Sequence, residues 1–422
     1  MQTLTPETPS DLVELIHKSA TSQTKLRIGT HQPIQQSEVE QSRLVNISKL
    51  NQLVEHSTRD LTIIVEAGMT FQKFYEKLAQ QNQWLPVNVP APETTTIGSL
   101  IAANYAGPLQ LKHGTVRDYL LGIKAIDGNG NYFKAGGKVV KNVAGYDLSR
   151  LLIGSQGTLA AITEATFHVK PLPPRKSWIV IACQTWSIAE SLIEFCLNAS
   201  WQPSAIELLT GKTWLEKSYL PTTDKQKTTC YLAICLTGAA SEIDFILEEL
   251  NPWETHSEVN SQSQIDEQYL ETIETELIEF ASPKPEAWIF QCHIRPKQIV
   301  YFTEVCKKYF PTGSFQAHAG NGILNIQLSE ECSIDSFKTS FKKIEQELSK
   351  YYQSKINFRL LQAPHSIPMA EIRSGFQYPQ AAIMHKMNRL LKERFDPNFI
   401  LQTNNPIYEA TAAYLNETAT KA

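Results

Sequence analysis

The sequence predicts an α+β protein of two or more domains, on three observations. The chain has 422 residues, more than the ~250–300 that one hydrophobic core ordinarily supports. Strand-like runs rich in β-branched residues are interleaved with amphipathic helical periods. Proline clusters at Pro171 and at Pro173-Pro174, followed by Arg175-Lys176, interrupt the strand that ends near Val169, and this break in pattern sets a domain boundary at 172/173.

Residues 1–18 are polar and include Pro6 and Pro9, unlike the basic and then apolar text of a signal peptide. No apolar run approaches the ~20 residues of a spanning helix. The expectation is a cytoplasmic protein with no transmembrane segment, peripheral to a membrane at most through partner subunits. The net charge of −4 provides no electrostatic footprint for nucleic acid or an anionic membrane surface. Residues 26–33 read as a strand and loop. Residues 44–68 suggest short strands, clearest at Leu61-Thr62-Ile63-Ile64-Val65. Phe71, Phe74, Tyr75 and Leu78 then recur at helical spacing and predict one apolar face. Pro86, Pro90 and Pro92 impose an extended loop that leads to Thr94-Thr95-Thr96 and lines the ligand.

Beyond the boundary, residues 178–183, 188–197, 205–209, 229–236 and 241–250 read as strand, helix, strand, strand, helix. Similar signals follow at 287–293, 298–309, 322–328 and 336–351, which predicts a ferredoxin-like α+β domain. Residues 251–283 carry acid and no Lys or Arg, as a solvated helix face would. A last helix over 381–395 is expected to bury Ile383, Met387, Leu390 and Leu391 and to stop at Asp396-Pro397. Nothing after Pro406 reads as strongly structured.

Of the 19 glycines, 11 fall between Gly98 and Gly157, a density that suggests main chain wrapped around a large ligand. The surrounding text is Thr96-Ile97-Gly98-Ser99, Ala102-Ala103-Asn104-Tyr105-Ala106-Gly107, His113-Gly114-Thr115-Val116-Arg117-Asp118, Lys141-Asn142-Val143-Ala144-Gly145-Tyr146-Asp147-Leu148 and Gly154-Ser155-Gln156-Gly157-Thr158-Leu159. Common nucleotide signatures fail. Gly137-Lys138 is followed by Val139, and a phosphate loop would need a glycine where Tyr132 stands. No G-x-G-x-x-G joins a strand to a helix. The seven cysteines include no Cys-x-x-Cys pair, so no iron–sulfur cluster is expected within the chain, and thiols in apolar strands such as 179–183 read as reduced and buried.

These motifs resemble the flavin domain of the vanillyl-alcohol oxidase (PCMH) type, as found in glycolate and D-lactate dehydrogenases. Within it, residues 114–118 and 141–148 most resemble the FAD-binding E subunit of the glycolate oxidase complex. The resemblance covers about 170 residues well. It implies a two-subdomain PCMH-type FAD-binding domain over 1–172, a ferredoxin-like cap over 173–360, a C-terminal helical segment over 361–408 packing back on the flavin domain, and a tail over 409–422. The cofactor implied is non-covalent FAD. Its implied contacts are Ile28, Gly29, Thr30 and His31, then Thr95, Thr96, Ile97, Gly98, Ser99, Ala102 and Asn104, with Gly107, Gly114 and Thr115, and finally Gly154, Ser155, Gly157, Thr158 and Ile162. Amides at Gly98, Gly154 and Gly157 are the expected donors to phosphate or flavin oxygens.

Several positions depart from the family pattern. The pyrophosphate loop retains only Gly29 and ends at Pro33, and Ser99 stands where relatives have a second glycine, so weak FAD binding, or none in the isolated chain, is a further expectation. In the cap, residues 318–325 and 364–368 resemble the metal motifs of catalytic relatives. Asn325 and Pro364 replace two of the three ligands and leave His318, so no metal is expected. His365 corresponds to the base that takes the hydroxyl proton. The implied role is the E-type subunit of a complex oxidising glycolate to glyoxylate, beside a D-type flavoprotein and an iron–sulfur subunit. The rival expectations are a stand-alone D-2-hydroxy-acid dehydrogenase and a scaffold that has lost FAD.

Overall fold

The computed structural model describes residues 3–29, 42–138, 147–221, 224, 226–282, 284–349, 358–364, 366–367 and 381–403, without the side chains of 381–386. It divides into two compact units. One comprises Met1–Ala106, Thr115–Leu172 and Phe376–Ala422, and the other comprises Gly107–Gly114 and Pro173–Gly375.

The first unit contains a four-stranded parallel sheet in the order Thr3–Leu4, Ser42–Val45, Lys25–Ile28, Leu401–Gln402. It also has a five-stranded antiparallel sheet in the order Leu53–Ser57, Thr62–Glu66, Ala160–His168, Leu120–Asp127, Tyr132–Gly136. One continuous core joins them, with Leu26 and Val45 from the first sheet and Ile63, Val65 and Phe167 from the second. Each such burial contributes roughly 1.5–3 kcal/mol. The N-terminal text that reads as merely polar is the helix Pro9–Ser22. Thr8 caps it in a capping box with Asp11, Pro9 sits in the first turn, and Leu12 and Ile16 face the core. The helix Phe71–Ala79 buries Phe71, Phe74 and Leu78, whereas Tyr75 lies on the flank of that face and is 39% exposed.

The second unit is a single eight-stranded antiparallel sheet. Its first half runs Arg175–Cys183, helix Trp186–Asn198, Ala205–Thr210, Cys230–Gly238, helix Ala240–Leu250, Val259–Gln264. The second half repeats this plan as Ala287–His293, helix Ile299–Tyr309, Ser314–His318, Ile323–Ser329, helix Ile334–Leu348, Phe358–Gln362. In each half the strands lie in the order fourth, first, third, second, the ferredoxin-like arrangement. It therefore occurs twice where the sequence suggests it once. The halves join through their second strands, with Glu207 opposite His318 and Thr210 opposite Phe315.

Two expectations about exposed and buried faces are corrected. In the acidic stretch, the helix Glu267–Glu279 does not present all its acid to solvent. Glu274 accepts from Lys176 Nζ at 2.6 Å and Trp178 Nε1 at 2.8 Å, and Glu276 accepts from Lys217 Nζ and Tyr219 Oη. Basic partners absent from that stretch of sequence arrive from strands and turns elsewhere in the unit. In the helix Ala381–Phe395, Leu391 and Phe395 pack against the core, but Met387 and Leu390 are 56% and 57% exposed. Core contact is confined to the last turn among the described side chains, so a period read over the whole helix overstates its burial. Ile383's side chain, Tyr351, Pro406 and the tail lie outside the described residues.

Candidate functional site

The first unit holds a cavity of about 130 Å³. One wall is Ile28 and Gly29, at the end of the strand Lys25–Ile28, with Ile47 beside them. A second wall is Gly98, Ser99, Ala102, Ala103 and Tyr105, on and just after the helix Ile97–Ala103. Gln156, Gly157, Ala160 and Ile162 complete it from the 155–158 turn and the strand Ala160–His168. Every lining residue is neutral. Ile28, Gly29, Gly98, Ser99, Ala102, Gly157 and Ile162, of the residues implied by the resemblance, line this one cavity. Thr30, His31 and 141–146 lie outside the described residues.

The remaining predicted contacts have visible structural work. Thr96 caps the helix Ile97–Ala103 by accepting from Ser99 N at 3.2 Å, and Asn104 ends it in the left-handed conformation with φ 53°. Ile97 is core. Thr95 Oγ1 donates to Pro90 O at 2.7 Å. Thr115 forms a capping box with Asp118. Gly107 and Gly114 belong to the other unit and do not line this cavity.

The three glycine amides differ from expectation. Gly98 N donates to Ala67 O at 2.8 Å, and Gly154 N to Ile101 O at 3.0 Å, so neither is free for a ligand. A Cβ at Gly98 would sit 3.2 Å from Ala67 O, which makes that glycine a packing requirement. Gly157 is the exception, for its N–H has no partner among the described residues. Its φ is +72°, and a Cβ there would meet nothing within 4 Å. Beside it, Ser155 Oγ is buried without a hydrogen bond.

Ile47, Ala103, Tyr105, Gln156 and Ala160 are lining residues absent from the sequence-derived set. Gln156 had a local signal, since it sits between Ser155 and Gly157 in the glycine motif. The 155–158 turn carries positive φ at both central residues, 54° at Gln156 and 72° at Gly157, and closes with Thr158 N to Ser155 O at 3.0 Å. It is a turn of the primed kind. Thr158 Oγ1 adds a second bond to the same carbonyl at 2.7 Å.

These features fit one part of a flavin site: neutral walls, open space at a glycine, and a main-chain donor with no partner among the described residues. The volume is below the ~300–1,000 Å³ of sites that enclose drug-sized ligands, as expected of one portion of an elongated cofactor's groove.

In the second unit, His318 faces a different environment. Its Nδ1 lies 2.7 and 2.9 Å from the two oxygens of Glu207, and both residues are buried. Glu207 also accepts from Gln316 Nε2 at 2.9 Å. Asn325 Nδ2 approaches His318 Nε2 at 3.4 Å, and Gln291 Nε2 donates to Asn325 Oδ1 at 3.1 Å. This network assigns the proton to Nδ1 and the lone pair to Nε2. No group of three or more His, Cys, Asp or Glu side chains among the described residues could hold a metal ion. His365 lies outside the described residues, and Pro364 is buried. Six of the seven free thiols are buried and Cys332 is half-buried; burial pushes the Cys196 thiol up to about 12.

Residues 2–136 match the FAD binding domain family. Glycolate oxidase subunit GlcD of Bacillus subtilis is 32% identical over 181 residues, 42% of this chain and 38% of the relative. Glycolate oxidase subunit GlcE of Escherichia coli is 39% identical over 122 residues, 29% of this chain and 35% of the relative. The chain thus spans little more than a third of the length of these curated relatives. The solved structure of p-cresol methylhydroxylase with substrate bound superposes with a TM-score of 0.65 at 13% identity, covering 96% of this chain and 88% of that one. The fold is the PCMH-type FAD-binding fold. No helix among the described residues is long and apolar enough to cross a membrane.

Proposed function

We propose that this chain, which carries in residues 2–136 an FAD-binding domain of the PCMH/vanillyl-alcohol oxidase superfamily, is an FAD-binding oxidoreductase subunit of a glycolate-oxidising complex. Its partners in this reading are a D-type flavoprotein that handles substrate and an iron–sulfur subunit that takes electrons onward. The observation that carries the cofactor reading is Gly157, whose N–H has no partner among the described residues, in the wall of a cavity lined by neutral residues. FAD, when bound, supplies two-electron acceptance from a 2-hydroxy acid.

The residues present divide the work. Gly157 N–H binds and orients the cofactor, and Ile28, Ile47 and Ile162 exclude water from one side of it. His318 holds its proton on Nδ1 against Glu207 and directs Nε2 at the Asn325 amide. That arrangement engages His318 on both nitrogens, so His318 itself is not offered as a general base.

The test is the visible spectrum of the purified chain, with released flavin quantified after denaturation and glycolate added to the native sample. Stoichiometric flavin that stays oxidised supports the subunit reading. Bleaching by glycolate or D-lactate would replace it with a stand-alone dehydrogenase. A folded, colourless chain that takes up no added FAD would leave a scaffold, a reading to which the small cavity and the departures at Gly29 and Ser99 lend weight.

A further inference from the structure

The 155–158 turn is conformationally costly, because Gln156 carries a side chain at φ 54°. For a non-glycine residue the left-handed region costs roughly 1–2 kcal/mol. Such a turn persists where its surroundings over-determine it. Two bonds do so from the helix Ile97–Ala103, Gly154 N to Ile101 O at 3.0 Å and Gln156 N to Ala102 O at 2.9 Å. The third comes from far along the chain. Lys392 Nζ donates to Thr158 O at 2.6 Å, to Asp396 Oδ2 at 2.5 Å and to Leu401 O at 2.5 Å.

An ammonium has three N–H donors, and all three are accounted for in this tripod. Asp396, with 0% exposure, neutralises it and also accepts from Ile400 N at 3.1 Å and Leu401 N at 2.7 Å. The same segment continues into the opposite wall. Leu401–Gln402 pairs in parallel with the strand Lys25–Ile28, Leu26 N donates to Ile400 O at 2.7 Å, and Arg27 Nη1 donates to Thr403 O at 2.7 Å. Residues 392–403 therefore bond both to the turn that carries Gly157 and to the strand that ends at Ile28 and Gly29.

We propose that Lys392 and Asp396 are positioning residues of the cofactor cavity. Through the Thr158 carbonyl, Lys392 holds the turn that presents Gly157 to the cavity, while Asp396 holds Lys392 and the following strand that backs the Ile28–Gly29 wall. The proposal rests on the reading of this cavity as the FAD site. Neither residue lines the cavity, so both act through others.

The experiment compares full-length wild type with Lys392→Met, Lys392→Arg and Asp396→Asn. Two readouts are taken: the FAD dissociation constant on reconstitution of flavin-free protein, and hydrogen exchange of the 152–160 amides in the flavin-free state. Loss of about tenfold in FAD affinity, together with faster exchange at 152–160, is expected for Lys392→Met. Lys392→Arg, which keeps charge and donors, recovers part of both. Should Asp396→Asn fail to fold, the Lys392 pair carries the test.

Unchanged affinity and unchanged exchange in Lys392→Met overturns the proposal, and so does faster exchange spread evenly over the whole unit. A wild-type chain that binds no FAD overturns the cofactor reading, while the exchange result still decides separately whether Lys392 holds the turn.

Discussion

The 155–158 turn and the seam of the eight-stranded sheet differ in how far their polar groups are paired. At the turn, Ser155 Oγ is buried without a partner and Gly157 N–H is left unpaired. At the seam, Glu207, Gln316, His318, Asn325 and Gln291 bond to one another across adjacent strands. An unpaired buried donor costs about 1–3 kcal/mol, so a turn that keeps Ser155 Oγ in that state has forgone stability. The seam pairs Glu207 with His318 and leaves only Gln316 Oε1 among these groups buried without a partner among the described residues, which makes it structural. The difference teaches where to look for chemistry, since a buried histidine is the less informative feature and an orphaned serine the more informative one.

The largest test of that contrast is Glu207→Ala. Removing the carboxylate leaves His318 Nδ1–H and Gln316 Nε2–H without their shared acceptor in a buried setting, and each unsatisfied buried donor costs about 1–3 kcal/mol. Thermal or urea unfolding should show the loss, with little change in FAD content of the folded fraction. A change under 1 kcal/mol would mean that the seam is not structural. Gly157→Val comes next. Its backbone penalty is about 1–2 kcal/mol, and its side chain enters the open space of the cavity, so flavin retention should fall more than stability. Full flavin retention would place the cofactor elsewhere.

Ser155→Ala removes a buried hydroxyl that bonds to nothing described, so the flavin-free chain should be no less stable and gain up to about 1–3 kcal/mol while FAD affinity weakens. Equal loss in both would show that the hydroxyl has a protein partner. The smallest effect gives a marker for the first unit by itself. Hydrogen bonds from Thr8, opposed by slight desolvation, hold the Asp11 carboxyl below its ordinary 3.8. A depressed carboxylate stabilises the folded state above its unfolded pKa and loses that contribution as pH falls through the folded value. Asp11→Asn should therefore be less stable than wild type at neutral pH and converge with it in acid, as read by unfolding curves across that range.

The sequence alone determined a good deal here, because some signals are local. Glycine density, the proline boundary and β-branched runs reflect backbone sterics that act within a few residues, and the motifs they frame carry the resemblance that implied seven residues now lining one cavity, from Ile28 to Ile162. The helical period over 71–78 was legible for the same reason, apart from Tyr75 at the edge of its face. Tertiary structure decided the rest. Whether a glycine amide is free depends on a distant acceptor, as Gly98 N with Ala67 O shows. Met387 and Leu390 are exposed because burial requires an opposing surface, which only the helix's last turn has among the described residues. Glu274 and Glu276 found cations nearly a hundred and about sixty residues away, beyond any window of local pattern. The pairing of His318 with Glu207 across 111 residues likewise needed the second repeat to fold against the first, since strand register, unlike turn chemistry, is set by long-range partners.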